Sequence, residues 1–263
     1  MERTEERIYN IKDLKFSYGD NTIFDGISLD IKKGKITTFL GGNGCGKSTL
    51  FNLMTKNLKS GGGEIDFCGR SLENIKLKDF AKEAAIVHQK NTAPADIQVK
   101  KLVSYGRTPH RSNSLLNFNE NEDDEEIINW AMSVTNTEKY SERAVSALSG
   151  GQMQRVWIAM ALAQETEILF LDEPTTFLDI RYQLEVLKLV KKLNKKYGKT
   201  VIMVLHDINQ ALAYSDEIIA LKDGQVLAQG NPQDIVADGL LQQVYGVEMN
   251  ITEVDGDYFV LPV

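Results

Sequence analysis

A short apolar run, Ile36-Thr37-Thr38-Phe39-Leu40, leads directly into the glycine-rich stretch Gly41-Gly42-Asn43-Gly44-Cys45-Gly46-Lys47-Ser48. Leu50, Phe51, Leu53 and Met54 then fall at helical spacing. Strand, glycine loop, helix is the context that the phosphate-cradling pattern G-x-x-x-x-G-K-[ST] requires. Glycines let backbone N–H groups turn toward phosphate oxygens without a clashing Cβ, and the following helix adds its N-terminal dipole. Lys47 is expected to reach the β- and γ-phosphates and the Ser48 hydroxyl to ligate Mg²⁺. Thr49 is counted with the cradle.

The loop by itself says only that a nucleotide binds. About a hundred residues further on stands a second polar glycine-rich segment, Leu148-Ser149-Gly150-Gly151-Gln152. Two such segments in one chain suggest that two different surfaces approach one triphosphate.

The rest of the chain frames these motifs. Residues 8–40 read as β-structure, with Ile11, Leu14 and Phe16 before a turn at Tyr18-Gly19-Asp20-Asn21. Ile27, Leu29 and Ile31 then alternate with polar residues up to Lys32-Lys33-Gly34. Residues 90–147 show no clear strand pattern. Their acidic run Glu120-Asn121-Glu122-Asp123-Asp124-Glu125-Glu126 leads into Ile127, Ile128, Trp130 and Ala131. It suits the solvated first turn of a helix, where carboxylates favour the positive dipole end; a cation site lacks the glycine turn and ligand spacing it would need.

From Ile168 the α/β rhythm returns. Ile168-Leu169-Phe170-Leu171 reads as a buried strand, and Leu184, Leu187, Val190 and Leu193 as one face of a helix stopped at Gly198. Thr200–Leu205 reads as the next buried strand, ending at His206. Apolar strands alternating with helices imply a mostly parallel sheet covered on both faces.

Asp172 and Glu173 close the first of these strands, which places both at the carboxyl edge of the sheet. Asp172 is expected to hold Mg²⁺, through water, and Glu173 to polarise the attacking water as general base. Such residues are often solvated turn carboxylates; the phosphate loop supplies the partner that favours chemistry. His206 occupies the equivalent place on the next strand, where it would contact the γ-phosphate and hold Glu173 and the water in line. His88 and His110 lack that context.

Composition narrows the class. The 263 residues are 42% hydrophobic and 25% charged with a net charge of −7, which lowers the case for broad nucleic-acid binding. No run of about 18 apolar residues is present, and the N-terminal Met1-Glu2-Arg3-Thr4-Glu5-Glu6-Arg7 lacks the apolar segment of a signal peptide. Of two cysteines, Cys45 lies inside the phosphate loop, where a disulfide would distort the cradle, so a reduced chain is expected.

The set Lys47-Ser48, Leu148–Gln152, Asp172-Glu173 and His206 resembles the nucleotide-binding subunit of an ATP-binding cassette (ABC) transporter, over essentially the whole chain. The resemblance implies a P-loop NTPase of α/β class, with a mostly parallel core sheet flanked by helices. To this it adds an N-terminal antiparallel β subdomain and an inserted helical subdomain. On that reading residues 1–263 are one domain: 1–89 and 160–263 form the ATPase core, and 90–159 the helical subdomain. It also implies roles by position: Tyr18 stacks on adenine, Gln89 touches Mg²⁺ and the water, and Asp179 lies in the loop that crosses between subunits.

In that family two chains pack head to tail, so ATP lies between one chain's phosphate loop and the other's Ser149-Gly150-Gly151-Gln152. A single loop leaves one side of the γ-phosphate in water, where charges at 4 Å interact by only ~1 kcal/mol. Burying that side supplies preorganised donors where charge develops. The implied partners are a second copy, an integral membrane permease contacting residues 90–110 and, indirectly, an extracytoplasmic binding protein. The implied place is the cytoplasmic face of the membrane.

Tyr105-Gly106-Arg107-Thr108-Pro109-His110, Trp157–Gln164, Thr175–Ile180, Val204–Ala211 and Leu241–Val247 look like importer ATPases for iron-siderophore, haem or cobalamin uptake, iron chelates first. A soluble ABC ATPase of complex assembly, such as iron-sulfur cluster assembly, is the alternative. Three residues depart from the pattern: Gly42 where proline is common, Met153 where arginine is common, and His88 where an apolar residue or proline is usual.

Overall fold

The computed structural model describes residues 6–111 and 122–262, which form two compact units: the chain up to Ile75 with Gly198 onward, and Lys76–Tyr197. Residues 1–5 and 112–121 lie outside the described residues, and with them Glu120, Asn121 and most of the charged N-terminal heptad.

The first unit begins with β1 (Arg7–Tyr18) and β2 (Asn21–Lys32), an antiparallel pair that turns at Gly19-Asp20. After β3 (Ile36–Gly41) come the phosphate loop and α1 (Lys47–Met54). The chain then forms β4 (Gly62–Phe67) and the short β5 (Arg70–Ser71), which complete an antiparallel sheet in the order β2-β1-β4-β5. Its inner face holds Ile8, Ile11, Leu14, Phe24, Ile31 and Phe67, all nearly solvent-free.

In the second unit, α2 (Leu77–Phe80) precedes β6 (Ala84–Val87). α3 (Val99–Ser104), α4 (Glu122–Thr135) and α5 (Gly150–Leu162) follow. The acidic residues Glu122, Asp123, Asp124 and Glu125 do occupy the first turn of α4. β7 (Ile168–Asp172) pairs in parallel with β6, and α6 (Ile180–Tyr197) closes the unit at Gly198, whose φ of +66° is the left-handed stop expected there. Leu187, Val190 and Leu193 are buried on α6, but Leu184 is exposed. The apolar stripe therefore begins one turn later than its spacing suggested.

The chain returns to the first unit through β8 (Thr200–Val204), α7 (Ile208–Tyr214), β9 (Glu217–Lys222) and β10 (Gln225–Gly230). β3 is flanked in parallel by β8 and β9, and β10 hangs antiparallel on β9. β8 stops at Val204, one residue before the expected end, although the Leu205 amide still reaches the Phe39 carbonyl at 3.3 Å. Every residue of β3 and β8 is buried, as continuous apolar strands require. α8 (Pro232–Val236), α9 (Leu240–Tyr245) and the hairpin of β11 (Met249–Val254) and β12 (Asp257–Pro262) finish the chain.

Candidate nucleotide site

In the first unit the central strand delivers the phosphate loop at its carboxyl end. Gly41 has φ +152°, and a Cβ there would lie 2.3 Å from the Leu221 carbonyl oxygen and 2.7 Å from Cys45 Sγ. Gly46, at φ +106°, leaves no room for a side chain against the Phe24 ring. These glycines are fixed by close approach as much as by backbone angle. Burial of Leu50, Phe51, Leu53 and Met54 then seats α1, at roughly 1.5–3 kcal/mol for each large side chain.

Lys47 is buried, and its ammonium donates to the Gly41 carbonyl at 2.7 Å and the Gly42 carbonyl at 2.8 Å, with Cys45 Sγ 3.8 Å away. Asn43, Gly44 and Ser48 face solvent, while Cys45 is a buried free thiol and Thr49 is half-buried. Tyr18 is 50% exposed and stands edge-on to Phe16, with ring centroids 4.8 Å apart. His206 is exposed beyond β8, and the next residue, Asp207, caps α7 through the Gln210 amide at 2.8 Å.

The second unit joins three residues at the end of β7. Gln89 Nε2 donates to Glu173 Oε2, and Thr176 Oγ1 donates to the same oxygen at 3.1 Å. Glu173 sits at φ +49°, a left-handed conformation uncommon outside glycine and found at functional sites when neighbours enforce it. Here the enforcement includes the Thr176 amide on the Glu173 carbonyl at 3.2 Å. Asp172 is half-buried at the strand end. Beside Gln89, burial pushes the His88 imidazole below its ordinary pKa.

The second glycine segment opens α5 with a capping box. The Gln152 amide donates to Ser149 Oγ at 3.4 Å, and the Ser149 amide to Gln152 Oε1 at 3.1 Å. Ser149 and Gly150 are exposed, so the helix N-terminus is presented to solvent. Gly151 is buried, and a Cβ there would lie 2.4 Å from the Tyr182 ring. Asp179 caps α6, accepting from the Tyr182 amide at 3.1 Å. Phe177 and Ile180 on either side are 87% and 75% exposed.

Residues 90–98 carry little regular structure, and the following stretch is pinned by Arg107, which the sequence did not single out for any physical role. The Arg107 guanidinium is buried and binds Asp124 at 2.7 Å, Glu165 at 2.6 Å and the Ala163 carbonyl at 2.9 Å. Gly106 permits the approach, since a Cβ would overlap the Met160 carbonyl oxygen.

In the first unit Ser48 offers a hydroxyl, and in the second Gln89 and Asp172 offer a carboxamide and a carboxylate. All are oxygen donors of the kind Mg²⁺ takes alongside waters and phosphate oxygens. Among the described residues no cluster of three histidines, cysteines or carboxylates forms a competing metal cage, and no helix is long and apolar enough to cross a membrane.

A phosphate loop at the end of a parallel strand, with a strand-end Asp-Glu pair and a capped Ser-Gly-Gly-Gln helix, defines an ATPase of the ABC class. The ABC transporter family pattern matches residues 24–176, and the chain belongs to that family. It is 46% identical over 239 residues to the iron(3+)-hydroxamate import ATP-binding protein FhuC of Bacillus subtilis, covering 90% of this chain and 87% of the relative. It is 45% identical to the petrobactin import ATP-binding protein FpuC of Bacillus anthracis, covering 90% and 86%. Among solved structures, the dimeric bacterial ABC transporter cassette MJ0796 superposes with a TM-score of 0.73 at 28% identity, covering 85% of this chain and 98% of that one.

Proposed function

We propose that this ABC ATPase drives an importer of iron-siderophore chelates, working as a head-to-tail pair on the cytoplasmic face of the membrane beneath a separate permease. The observation that carries the reading is the high identity, over nine-tenths of the chain, to ATP-binding proteins named for hydroxamate and petrobactin import. The dimeric form of a similar cassette supports the pairing.

In this reading Tyr18 stacks on adenine, and the loop from Gly41 to Thr49 wraps the phosphates. Lys47 exchanges its two loop carbonyls for phosphate oxygens. Ser48, Gln89 and Asp172 would hold Mg²⁺, which would offset phosphate charge. Glu173 takes the proton of the attacking water, oriented by Gln89 and Thr176, and His206 holds the γ-phosphate side. Ser149, Gly150, Gly151 and Gln152 of the second copy complete the site across the pair, with Asp179 and the exposed Phe177 and Ile180 at the crossing. Residues 90–159 act as the helical subdomain. Within them 90–110, anchored by Arg107, receive the permease.

Purification of the tagged chain from its native membrane tests the reading. A polytopic membrane protein is expected to accompany it, and deletion of the chain is expected to abolish iron-chelate uptake. Recovery with soluble proteins alone, and uptake unchanged by the deletion, would refute the transport role.

A further inference from the structure

The turn between β9 and β10 meets the phosphate loop, yet it belongs to none of the motifs. Asp223 and Gly224 form it, at φ +46° and +73°, between the paired Lys222 and Gln225. Two left-handed residues are what a two-residue hairpin turn needs to match the twist of its strands, and Asp-Gly is a usual pair for it. That requirement accounts for the backbone angles. It does not account for what the turn touches.

Gly224 is buried, while Asp223 is exposed. The Gly224 amide donates to the Cys45 carbonyl at 3.3 Å, and a Cβ on Gly224 would lie 1.9 Å from the Ile23 carbonyl oxygen. Ile23 and the adjacent Phe24 also close on Gly46. A Cβ there would lie 3.3 Å from an Ile23 methyl and 2.7 Å from the Phe24 ring. Within β9, Leu221 is the strand partner of Gly41. The loop is therefore clasped at its first residue by β9 and at its fifth by the turn, with β2 against both Gly46 and Gly224.

The Cys45 carbonyl and the Gly46 N–H belong to one planar trans peptide, so they point in opposite directions. A donor fixed on the carbonyl turns that N–H away from the hairpin. We propose that Gly224 is a positioning residue for the nucleotide site. Its amide, seated where no side chain fits, holds the Cys45-Gly46 peptide so that the Gly46 N–H is aimed at the phosphates. A donor oriented before the ligand arrives spends no binding free energy on its own ordering. The turn acts through the loop and makes no contact of its own with the nucleotide. This deepens the proposed ATP site and rests on it.

The test is Gly224→Ala in the full chain, beside wild type, Asp223→Ala and Lys47→Ala, with ATP affinity read by calorimetry well below each thermal midpoint. Alanine at either turn position meets left-handed strain, but at 224 its Cβ also drives the amide off Cys45. Gly224→Ala is expected to bind ATP roughly ten- to a hundredfold more weakly, the range for one hydrogen bond to a charged group. Asp223→Ala is expected to bind like wild type. Wild-type affinity in Gly224→Ala would overturn the proposal and leave the ATP site standing. Equal weakening in both variants would also overturn it, by reducing the turn to a matter of stability. Should Gly224→Ala not fold, amide hydrogen exchange in wild type decides. The Gly224 amide is expected to be protected with and without ATP, and the Gly46 amide to gain protection when ATP is added. A Gly224 amide that exchanges as freely as an open turn, or a Gly46 amide unmoved by ATP, would overturn the proposal. Wild type that binds no ATP, or Lys47→Ala that binds it equally well, would instead overturn the site on which it rests.

Discussion

Gln89 gives its side-chain amide to the Glu173 carboxylate, joining the segment that follows β6 to the end of β7 through one hydrogen bond. The bond orients the proposed base. Were 90–110 the permease contact proposed above, Gln89, directly before that segment, would be the route by which its movement reached the base.

Replacing the base while keeping its shape separates binding from chemistry. Glu173→Gln retains an oxygen for Gln89 and Thr176 but cannot take a proton. Turnover is expected to fall by at least about a hundredfold, the usual contribution of a general base. ATP should still be bound, and an ATP-dependent dimer should accumulate on gel filtration. Unchanged turnover would remove Glu173 from its assigned role.

Gly151 faces a steric limit within its own chain. A methyl group there meets the Tyr182 ring at its root, which cannot swing aside as a flexible tip would. Gly151→Ala should destabilise the chain by about 1–3 kcal/mol, and adding Tyr182→Ala should recover part of that loss in thermal melts. Ser149→Ala, in contrast, loses within its own chain only a helix cap, at about 1 kcal/mol, and should leave ATP binding by the monomer intact. On the proposed reading it also removes a contact to the second copy's ATP, so the closed pair should be lost. Loss of monomer binding in Ser149→Ala would return the segment to an ordinary loop.

The two leading loop glycines should behave oppositely. Gly42 has no atom near its virtual Cβ and no left-handed φ, whereas Gly41 has both constraints. Gly42→Ala should be neutral or stabilising by about 0.4–1 kcal/mol with ATP affinity retained, and Gly41→Ala should impair both. Equal damage from the two substitutions would contradict this geometry.

Glu217 gives a pH-dependent prediction. It is 7% exposed, lies 3.7 Å from Lys32, and burial raises its pKa more than Lys32 lowers it. A carboxyl with a raised folded pKa favours the folded state most when protonated, so its contribution is lost as pH rises through the interval between the unfolded and folded values. Glu217→Gln should therefore melt higher than wild type at neutral pH. The gap should close as pH falls through and below the ordinary carboxylate range. A gap independent of pH would exclude the carboxyl as its source.

Periodicity and motif spacing located the strand-loop-helix unit, the buried strands at Ile168 and Thr200, the α6 stop at Gly198 and the acidic start of α4. Each of these depends on neighbours within a few residues, which is why a linear pattern can hold them. Leu184 was misplaced because helical spacing identifies an apolar stripe but not where its cover ends. The contacts between Gly151 and Tyr182, and between Arg107, Asp124 and Glu165, join distant parts of the chain, so no local pattern carries them. Gly106 and Gly151 were visible as glycines, but only the opposing carbonyl or ring explains them.

Lys47 already grips the carbonyls of Gly41 and Gly42. The loop thus carries its own competitor for the cation, shaped like the oxygens it awaits. On the proposed reading ATP would not meet a bare charge; it would have to displace an internal ligand, and its affinity would be the difference between two sets of oxygen contacts. Alterations at Gly41 and its surroundings can then retune nucleotide capture without any atom touching the nucleotide.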